Sequence, residues 1–333
     1  MNVEFPDNET IRTVLTLAGR APSIYNSQPW RWQADSDALH LYVDPSLRLP
    51  STDPDGRDLI LSCGAVLNHC VIALAAMGWR ARVRRLPDPA NRHHLATIET
   101  CRCEVDQVDV MLAAAVPRRR TDRRIYNGWP VPAADIALMS ARAARSGVML
   151  RRIDRVDRLN KIVAQAVMTH LSDPRYLVEL TAWSGRYGSV AGVPARNTPV
   201  PDASAAIPGR MFAAPALAQP FDASAADDNA VVLALGTQTD DRLARLRAGE
   251  AASVVLLTAT ALGLASCPLT EPLEIAATRN SVRSDVFGAA AYPQMLLRVG
   301  WAPVNADPLP STPRRQLDDI VEWRTGSEHH VLA

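Results

Sequence analysis

The stretch GAVLNHCVIALAAMGW, residues 64–79, can be laid without gaps on GEAASVVLLTATALGL, residues 249–264, at a constant offset of 185 residues. Both stretches begin at a glycine, are almost wholly apolar, and reach a second glycine that is placed like a helix C-cap. A helix that is apolar all round must be buried on most of its sides. The repeat therefore predicts two long central helices that pack against each other, as at a homodimer interface fused into one chain.

The elements around these two stretches also correspond. Residues 9–19 and residues 132–145 both have apolar side chains at helical spacing. A loop over 20–29 and a hairpin with alternating apolar residues follow the first helix, whereas a strand from Val148 follows the second directly. The sequence thus predicts an α+β fold, an α/β sandwich, made of two tandem pseudo-symmetric halves.

The predicted halves are residues 1–110 and 111–333, and the second contains a segment of different composition. Residues 183–236 are rich in Pro, Ala and Gly, with isolated large apolar residues between them. These large residues are Trp183, Tyr187, Met211, Phe212 and Phe221. A loop of this length is usually a lid or a disordered linker, and the scattered aromatic residues favour a lid.

Composition places the chain among ordinary globular proteins. Hydrophobic residues make up 47% and charged residues 21% of its 333 residues, which excludes global disorder. The net charge of +1 argues against a general polyanion binder. Residues 251–267 fall just short of the ~18 apolar residues that begin to suggest a membrane span. With no signal peptide pattern at the N-terminus and no CxxC pair among the cysteines, we expect a cytoplasmic protein without a membrane partner.

The loop APSIYNSQPW, residues 21–30, has a proline near each end, which restricts the backbone there. Between the prolines lie four side chains that both donate and accept hydrogen bonds. They are Ser23, Asn26, Ser27 and Gln28. A stiff loop of this kind suits a planar heterocycle whose edge alternates carbonyl and N–H groups. An ordinary polar connector between a helix and a strand is the alternative.

The segment PRRRTDRR, residues 117–124, is strongly basic. If the segment is extended, Arg119, Thr121 and Arg123 project to one side. Two guanidinium groups and a hydroxyl could then bind one phosphate dianion. A solvated basic stretch and a nucleic-acid contact are the alternatives, and the near-neutral net charge argues against nucleic acid.

The histidine pairs His93-His94 and His329-His330 have no cysteine or carboxylate at metal-binding spacing, so we predict no metal site. We interpret His69 and His170 as structural residues within helices.

Together these motifs resemble the FMN-dependent nitroreductase superfamily. Its members have an Arg-x-Ser-x-(Arg/Lys) phosphate motif, a Pro-Val-Pro-like helix start, an Ala-Pro-Ser-x-x-Asn-x-Gln-Pro-Trp loop, a long helix ending in Gly-Leu, and a late basic motif. The corresponding segments here are residues 119–123, 130–132, 21–30, 262–266 and 313–315. In ordinary members the arginine motif precedes the loop. The reversed order resembles the Acg-type subgroup, which consists of mycobacterial, dormancy-associated flavoproteins.

The resemblance implies a set of cofactor contacts. Those to the isoalloxazine ring are Pro22, Ser23 and Asn26, with backbone groups of Pro268, Leu269 and Thr270. Those to the phosphate are Arg119, Thr121 and Arg123, with added charge from Arg314 and Arg315. Thr121 replaces the usual serine but keeps the hydroxyl group.

Only one complete site is expected, because it combines the loop of the first half with the basic residues of the second. The mirror-image site would need a loop after residue 145 and an arginine motif near the N-terminus, and the sequence has neither. We therefore predict one FMN per chain and a chain that can act as a monomer.

The resemblance also implies the chemistry. NAD(P)H would reduce the flavin, and a nitroaromatic or quinone would then take the two electrons in a ping-pong sequence. The flavin carries this redox chemistry, so no catalytic side chain is predicted. The alternative is a protein that stores or sequesters FMN without turnover, beneath a lid formed by residues 183–236.

Overall fold

Two long helices, α2 (Arg57–Ala76) and α7 (Arg242–Ala261), pack against each other at the centre of the protein. They approach most closely at Gly64 and Gly249, where a Cβ added to either glycine would lie 2.1 Å from a backbone carbonyl oxygen of the opposite helix. Only glycine allows backbones to come this close. The predicted pair of central helices is therefore confirmed.

The two helices also correspond in detail. The Ser253 hydroxyl of α7 donates a hydrogen bond to the Asn68 side chain of α2 at 2.8 Å, and these residues occupy equivalent places in the repeat. Gly78 and Gly263 follow the helices at φ angles of 80° and 82°, a conformation that favours glycine. Among the described residues, α2 is the one helix long and apolar enough to cross a membrane, but most of it is buried in the core.

The structure is a computed structural model that describes residues 5–185, 188–202, 204–220, 224–288 and 290–324. Tyr187, Phe221 and the pair His329-His330 therefore lie outside the described residues.

The first half surrounds α2. Its other elements are α1 (Asn8–Ala18), β1 (Trp30–Ala34), β2 (Leu39–Val43), β3 (Trp79–Arg85), β4 (His94–Arg102) and α3 (Gln107–Ala115). Asp7 is the N-cap of helix α1, and its carboxylate accepts the N–H of Thr10 at 2.7 Å. The strands lie in the order β3-β4-β2-β1 and pair antiparallel. The predicted hairpin forms β1 and β2.

The second half repeats this order around α7. Its elements are α4 (Ala133–Ala144), β5 (Met149–Ile153), α5 (Val156–Leu171), α6 (Pro174–Trp183), β6 (Val231–Thr237), β7 (Ala265–Leu269), α8 (Glu271–Glu274), α9 (Ala276–Val282) and β8 (Tyr292–Gly300). The sheet order β7-β8-β6-β5 matches that of the first half strand by strand. The prediction of two pseudo-symmetric α+β halves is thus confirmed, while the exact division at residue 110 stays a prediction.

The irregular segment is shorter at its C-terminal end than the predicted 183–236. Residues 231–237 form β6, a fully buried strand in the middle of the second sheet. Their apolar run, VVLAL, is typical of a strand covered on both faces. The irregular segment therefore ends at residue 230.

The C-terminal segment returns to the first half. It forms a short 3-10 turn, Leu317–Asp319, followed by β9 (Val321–Trp323). Strand β9 pairs parallel with β1 and covers what would otherwise be an open sheet edge. This return carries Arg314 to the first half.

Candidate functional site

A cavity of about 1790 Å³, including its opening, lies among the loop before β1, the N-terminal part of α2, residues 119–125 and the start of α8. Ten of the eleven predicted binding residues line it. These are Pro22, Ser23, Asn26, Arg119, Thr121, Arg123, Pro268, Leu269, Thr270 and Arg314. The fold thus brings together segments that are far apart in the sequence, and their ligand stays a prediction at this point.

Arg315 is the exception and does not line the cavity. Its backbone N–H donates to the Gln28 side-chain oxygen at 2.9 Å, and its guanidinium donates to the Asp319 carbonyl. Its neighbour Arg314, in contrast, lines the cavity. The structure gives no support to the predicted phosphate contact of Arg315.

The basic segment reaches the cavity without forming a strand. Residues 119–123 have no regular secondary structure, yet Arg119, Thr121 and Arg123 line the same cavity. Asp122 forms a buried ion pair with Arg124 at 2.8 Å. The carboxylate in the segment therefore neutralises Arg124.

The cavity has a cationic end whose positive charge is uncompensated. Arg119 is buried, and its Nε and Nη1 atoms have no hydrogen-bond partner. Burial, reinforced by the nearby positive charges of Arg120 and Arg20, lowers the pKa of Arg119 to about 10. Burial beside Arg119 likewise lowers the pKa of Arg314 to about 9. No ion pair to any of these four arginines occurs within the described part of the chain, so the end is built for an anion.

Asn26 connects the polar loop to this cationic end. Its Oδ1 accepts a hydrogen bond from Arg314 at 2.9 Å. Its amide donates to the carbonyl oxygens of Gly192 and Pro313, each at 3.1 Å. The side chain is therefore fixed by two separate segments, and it holds Arg314 at the cavity wall.

The loop itself has a strained backbone. Tyr25, Asn26 and Gln28 have φ angles of 45°, 53° and 53°, which side-chain-bearing residues adopt rarely. The N–H of Gln28 donates to the Ser23 hydroxyl at 2.9 Å, which helps to hold this shape. Such strain persists where surrounding contacts impose it, and it is concentrated at binding sites. The sequence identified the loop but not this conformation.

The cavity is also bordered, at Tyr25 and Arg210, by a paired polar network that the sequence analysis missed. Arg210, from the irregular segment, forms a bidentate ion pair with Glu274 at 2.7 and 2.8 Å. It also donates to the hydroxyls of Tyr25 at 3.2 Å and Tyr176 at 3.3 Å. Local sequence carries no signal for this network, because its members come from four separate segments.

His170 lies behind the network. Its ring stacks on Tyr176 with centroids 4.1 Å apart, and its Nδ1 lies 3.2 Å from a carboxylate oxygen of Glu271. These contacts agree with the structural role predicted for this histidine. Among the described residues, no group of three or more His, Cys, Asp or Glu side chains is placed to hold a metal ion.

The irregular segment covers part of the cavity. Val193, Pro199 and Phe212 are among its lining residues. The Arg123 guanidinium lies 4.7 Å from the centre of the Phe212 ring and donates to the Asn197 carbonyl at 3.3 Å. These contacts favour a lid rather than a disordered linker for this segment.

In this fold, two pseudo-symmetric α+β halves enclose a large cavity that has a cationic end and a polar loop in its wall. No protein-family model matches the sequence. The chain is 68% identical over 323 residues to "Putative NAD(P)H nitroreductase Rv3131" of Mycobacterium tuberculosis, which covers 97% of this chain and 94% of that protein. It is 36% identical over 324 residues to "Putative NAD(P)H nitroreductase acg" of the same organism, covering 95% and 96% of the two chains. The chain therefore belongs to the nitroreductase family, within its Acg-like subgroup.

Solved structures of more distant nitroreductases match part of the chain. The FMN- and NADPH-dependent nitroreductase NfnB from sphigopyxis sp. strain HMH is 20% identical, with a TM-score of 0.40 over 64% of this chain and 99% of NfnB. An FMN-bound nitroreductase from Bacteroides fragilis is 14% identical, with a TM-score of 0.39 over 59% of this chain and 90% of that one. These are partial likenesses in fold.

Proposed function

We propose that the chain binds one FMN in this cavity and acts as an NAD(P)H-dependent oxidoreductase that reduces nitroaromatics or quinones. The observation that carries the proposal is the buried Arg119, whose two unpartnered N–H groups face no carboxylate. A buried cation in this state is costly unless an anion neutralises it. The family, in which relatives bear the name NAD(P)H nitroreductase, supports FMN phosphate as that anion.

The residues present fit FMN at both ends of the molecule. Arg119, Thr121, Arg123 and Arg314 would hold the phosphate, and Arg123 also contacts the Phe212 ring of the irregular segment. Ser23, Asn26 and backbone groups of 268–270 would hold the ring. When bound, FMN would supply the two-electron chemistry between NAD(P)H and the acceptor, while the protein positions both and limits the access of water.

The asymmetry of the two halves supports one FMN per chain. In the second half, α4 passes into β5 through the short turn at residues 145–148. No loop equivalent to 20–29 can form there. We further expect the chain to act as a monomer in the cytoplasm, because its two halves replace the two subunits of a dimer.

Storage of FMN without turnover is the second candidate function, and one observation favours it. The lid is fastened over the cavity by the bidentate Arg210–Glu274 pair, which is buried. A lid held in this way would keep nicotinamide away from a flavin beneath it.

The two functions are separated by the response of the FMN-loaded protein to NADPH under anaerobic conditions. Rapid bleaching of the flavin absorbance in the intact protein supports the reductase. Bleaching only after the lid is released by Arg210→Met supports storage. Arg196→Met is the matched control, because Arg196 is an exposed arginine of the same segment. A protein that stays colourless after incubation with FMN would refute both functions.

A further inference from the structure

Asp58 is a buried acidic residue that faces the cavity and has no role in the FMN binding proposed above. It lies in the first turn of α2 and lines the cavity together with Leu61, Ser62 and Ala65 of the same helix face. Only 6% of the residue is exposed. Within the described residues its carboxyl group has neither a hydrogen-bond partner nor an ion-pair partner.

The charged groups around Asp58 are already paired with others. The Asp53 carboxylate accepts the backbone N–H groups of Arg57 and Leu59 at 2.7 and 2.8 Å. Glu274 is bound to Arg210. The Arg57 guanidinium donates to Pro293 and Gln294, each at 2.9 Å, and also pairs with Asp240.

This environment decides the protonation state. Burial, followed by the negative charges of Asp53 and Glu274, raises the pKa of Asp58 well above its ordinary value. The positive charges of Arg57 and Arg210 act in the opposite direction but do not outweigh burial. This environment favours the protonated form of the Asp58 carboxyl group, which can donate a proton.

We propose that Asp58 is the acid that protonates the electron acceptor bound in the cavity. The inference rests on the reductase function proposed above. Reduction of a quinone to a hydroquinone takes up two electrons and two protons, and reduction of a nitro to a nitroso group takes up the same and releases water. A hydride brings both electrons and one proton, so one more proton is needed. The Asp58 O–H bond breaks, an O–H bond forms on the acceptor, and the carboxylate is reprotonated from solvent.

Infrared spectroscopy tests the protonation state without any turnover. A difference spectrum between wild type and Asp58→Asn at pH 7 should contain the carbonyl band of a neutral carboxylic acid, present only in the wild type. A spectrum that contains a carboxylate band for Asp58 overturns the proposal. This measurement does not require bound flavin, so it tests the protonation state of Asp58 even if the proposed function fails.

The second measurement is oxidation of the reduced, FMN-loaded protein by a quinone, with benzoquinone as the probe. Asparagine keeps the shape and a hydrogen-bond donor but has no proton to give, so Asp58→Asn should slow this step about 100-fold. Asp58→Glu should restore most of the rate. The control is Asp55→Asn, an exposed aspartate that precedes α2 and pairs with Arg279 at 2.7 Å.

Flavin content and unfolding temperature are measured on each variant. An unchanged oxidation rate in Asp58→Asn would overturn the proposal, and so would loss of FMN from that variant while it remains folded, since Asp58 would then be a binding residue. Absence of FMN from the wild type would instead refute the proposed function.

Discussion

Replacement of Arg119 by methionine should change the stability of the empty protein and the affinity for FMN in opposite directions. In the empty cavity, burial among other arginines lowers the pKa of Arg119 from 12.5 to about 10. At about 1.4 kcal/mol per pKa unit, this corresponds to roughly 3 kcal/mol of destabilisation of the charged form. Methionine fills similar space without the charge, so the empty Arg119→Met protein should unfold at a higher denaturant concentration than the wild type.

The same substitution should weaken FMN binding. The lost charge-assisted hydrogen bonding to the phosphate should cost about 1.5–3 kcal/mol in total, so the Kd should rise about 10- to 100-fold. Titration of flavin fluorescence measures this. Riboflavin lacks the phosphate, and its affinity should change less than about twofold, which localises the effect to the cationic end.

The neighbouring Arg118 provides the control. It is exposed, and its guanidinium donates to the Ala114 carbonyl at 3.0 Å. Arg118→Met should leave both the stability of the empty protein and FMN affinity nearly unchanged. Equal loss of riboflavin and FMN affinity in Arg119→Met, or an unchanged FMN affinity, would refute the assignment of Arg119 to the phosphate.

Three further predictions concern stability. Gly64→Ala should destabilise the protein by about 3 kcal/mol in urea unfolding, because its Cβ would lie 2.1 Å from a carbonyl oxygen. The control is Gly19→Ala, whose Cβ would lie 3.4 Å from the nearest atom and which should change stability by less than about 1 kcal/mol. Burial raises the pKa of Asp58, so the free energy of unfolding of the wild type falls as the pH rises above about 4. The stability of Asp58→Asn relative to the wild type should therefore increase between pH 5 and pH 8. Parallel curves of unfolding free energy against pH would contradict this. Burial lowers the pKa of His69 to about 3, so the folded state resists protonation and stability falls as the pH drops below about 6.5. Between pH 6.5 and pH 4, the melting temperature of His69→Gln should fall less than that of the wild type. An equal fall in the two proteins would contradict this prediction.

The central helix pair could be predicted because its signal is local and repeated. An apolar stretch that begins and ends at glycine specifies a buried helix wherever it occurs, and its second copy at a constant offset specifies the partner. The close approach at Gly64 and Gly249, the first residues of the two aligned stretches, was not predicted and is seen only in the structure. The hairpin was predictable for a similar reason, since its alternating apolar residues show one face of a sheet.

Features that depend on distant contacts were missed or misplaced. Strand β6 was assigned to the irregular segment because its neighbours in sequence are rich in Pro and Ala. Strand β9 is too short to be recognised without knowing that the edge of β1 needs a partner. Each of these strands is short, so the alternation of apolar and polar residues that identifies a strand extends over few positions.

The candidate site shows the same division. Arg119, Thr121, Arg123 and Asn26 belong to motifs that resemble a family, so they could be named before their positions were known. The pairing of Arg210 with Glu274 and the isolation of Asp58 depend on the fold alone. No spacing in the sequence relates these residues, and only the packing of lid, α2 and α8 brings them together.

The central claim is that one flavin phosphate completes a cationic cavity built from both halves of the chain. Calorimetric titration of the flavin-free protein with FMN tests it most directly. We predict a single class of sites with one FMN per chain, and binding that weakens as salt is added, because salt screens the attraction between the phosphate dianion and the arginines. A stoichiometry near two, or no measurable heat with FMN at any salt concentration, would contradict the account.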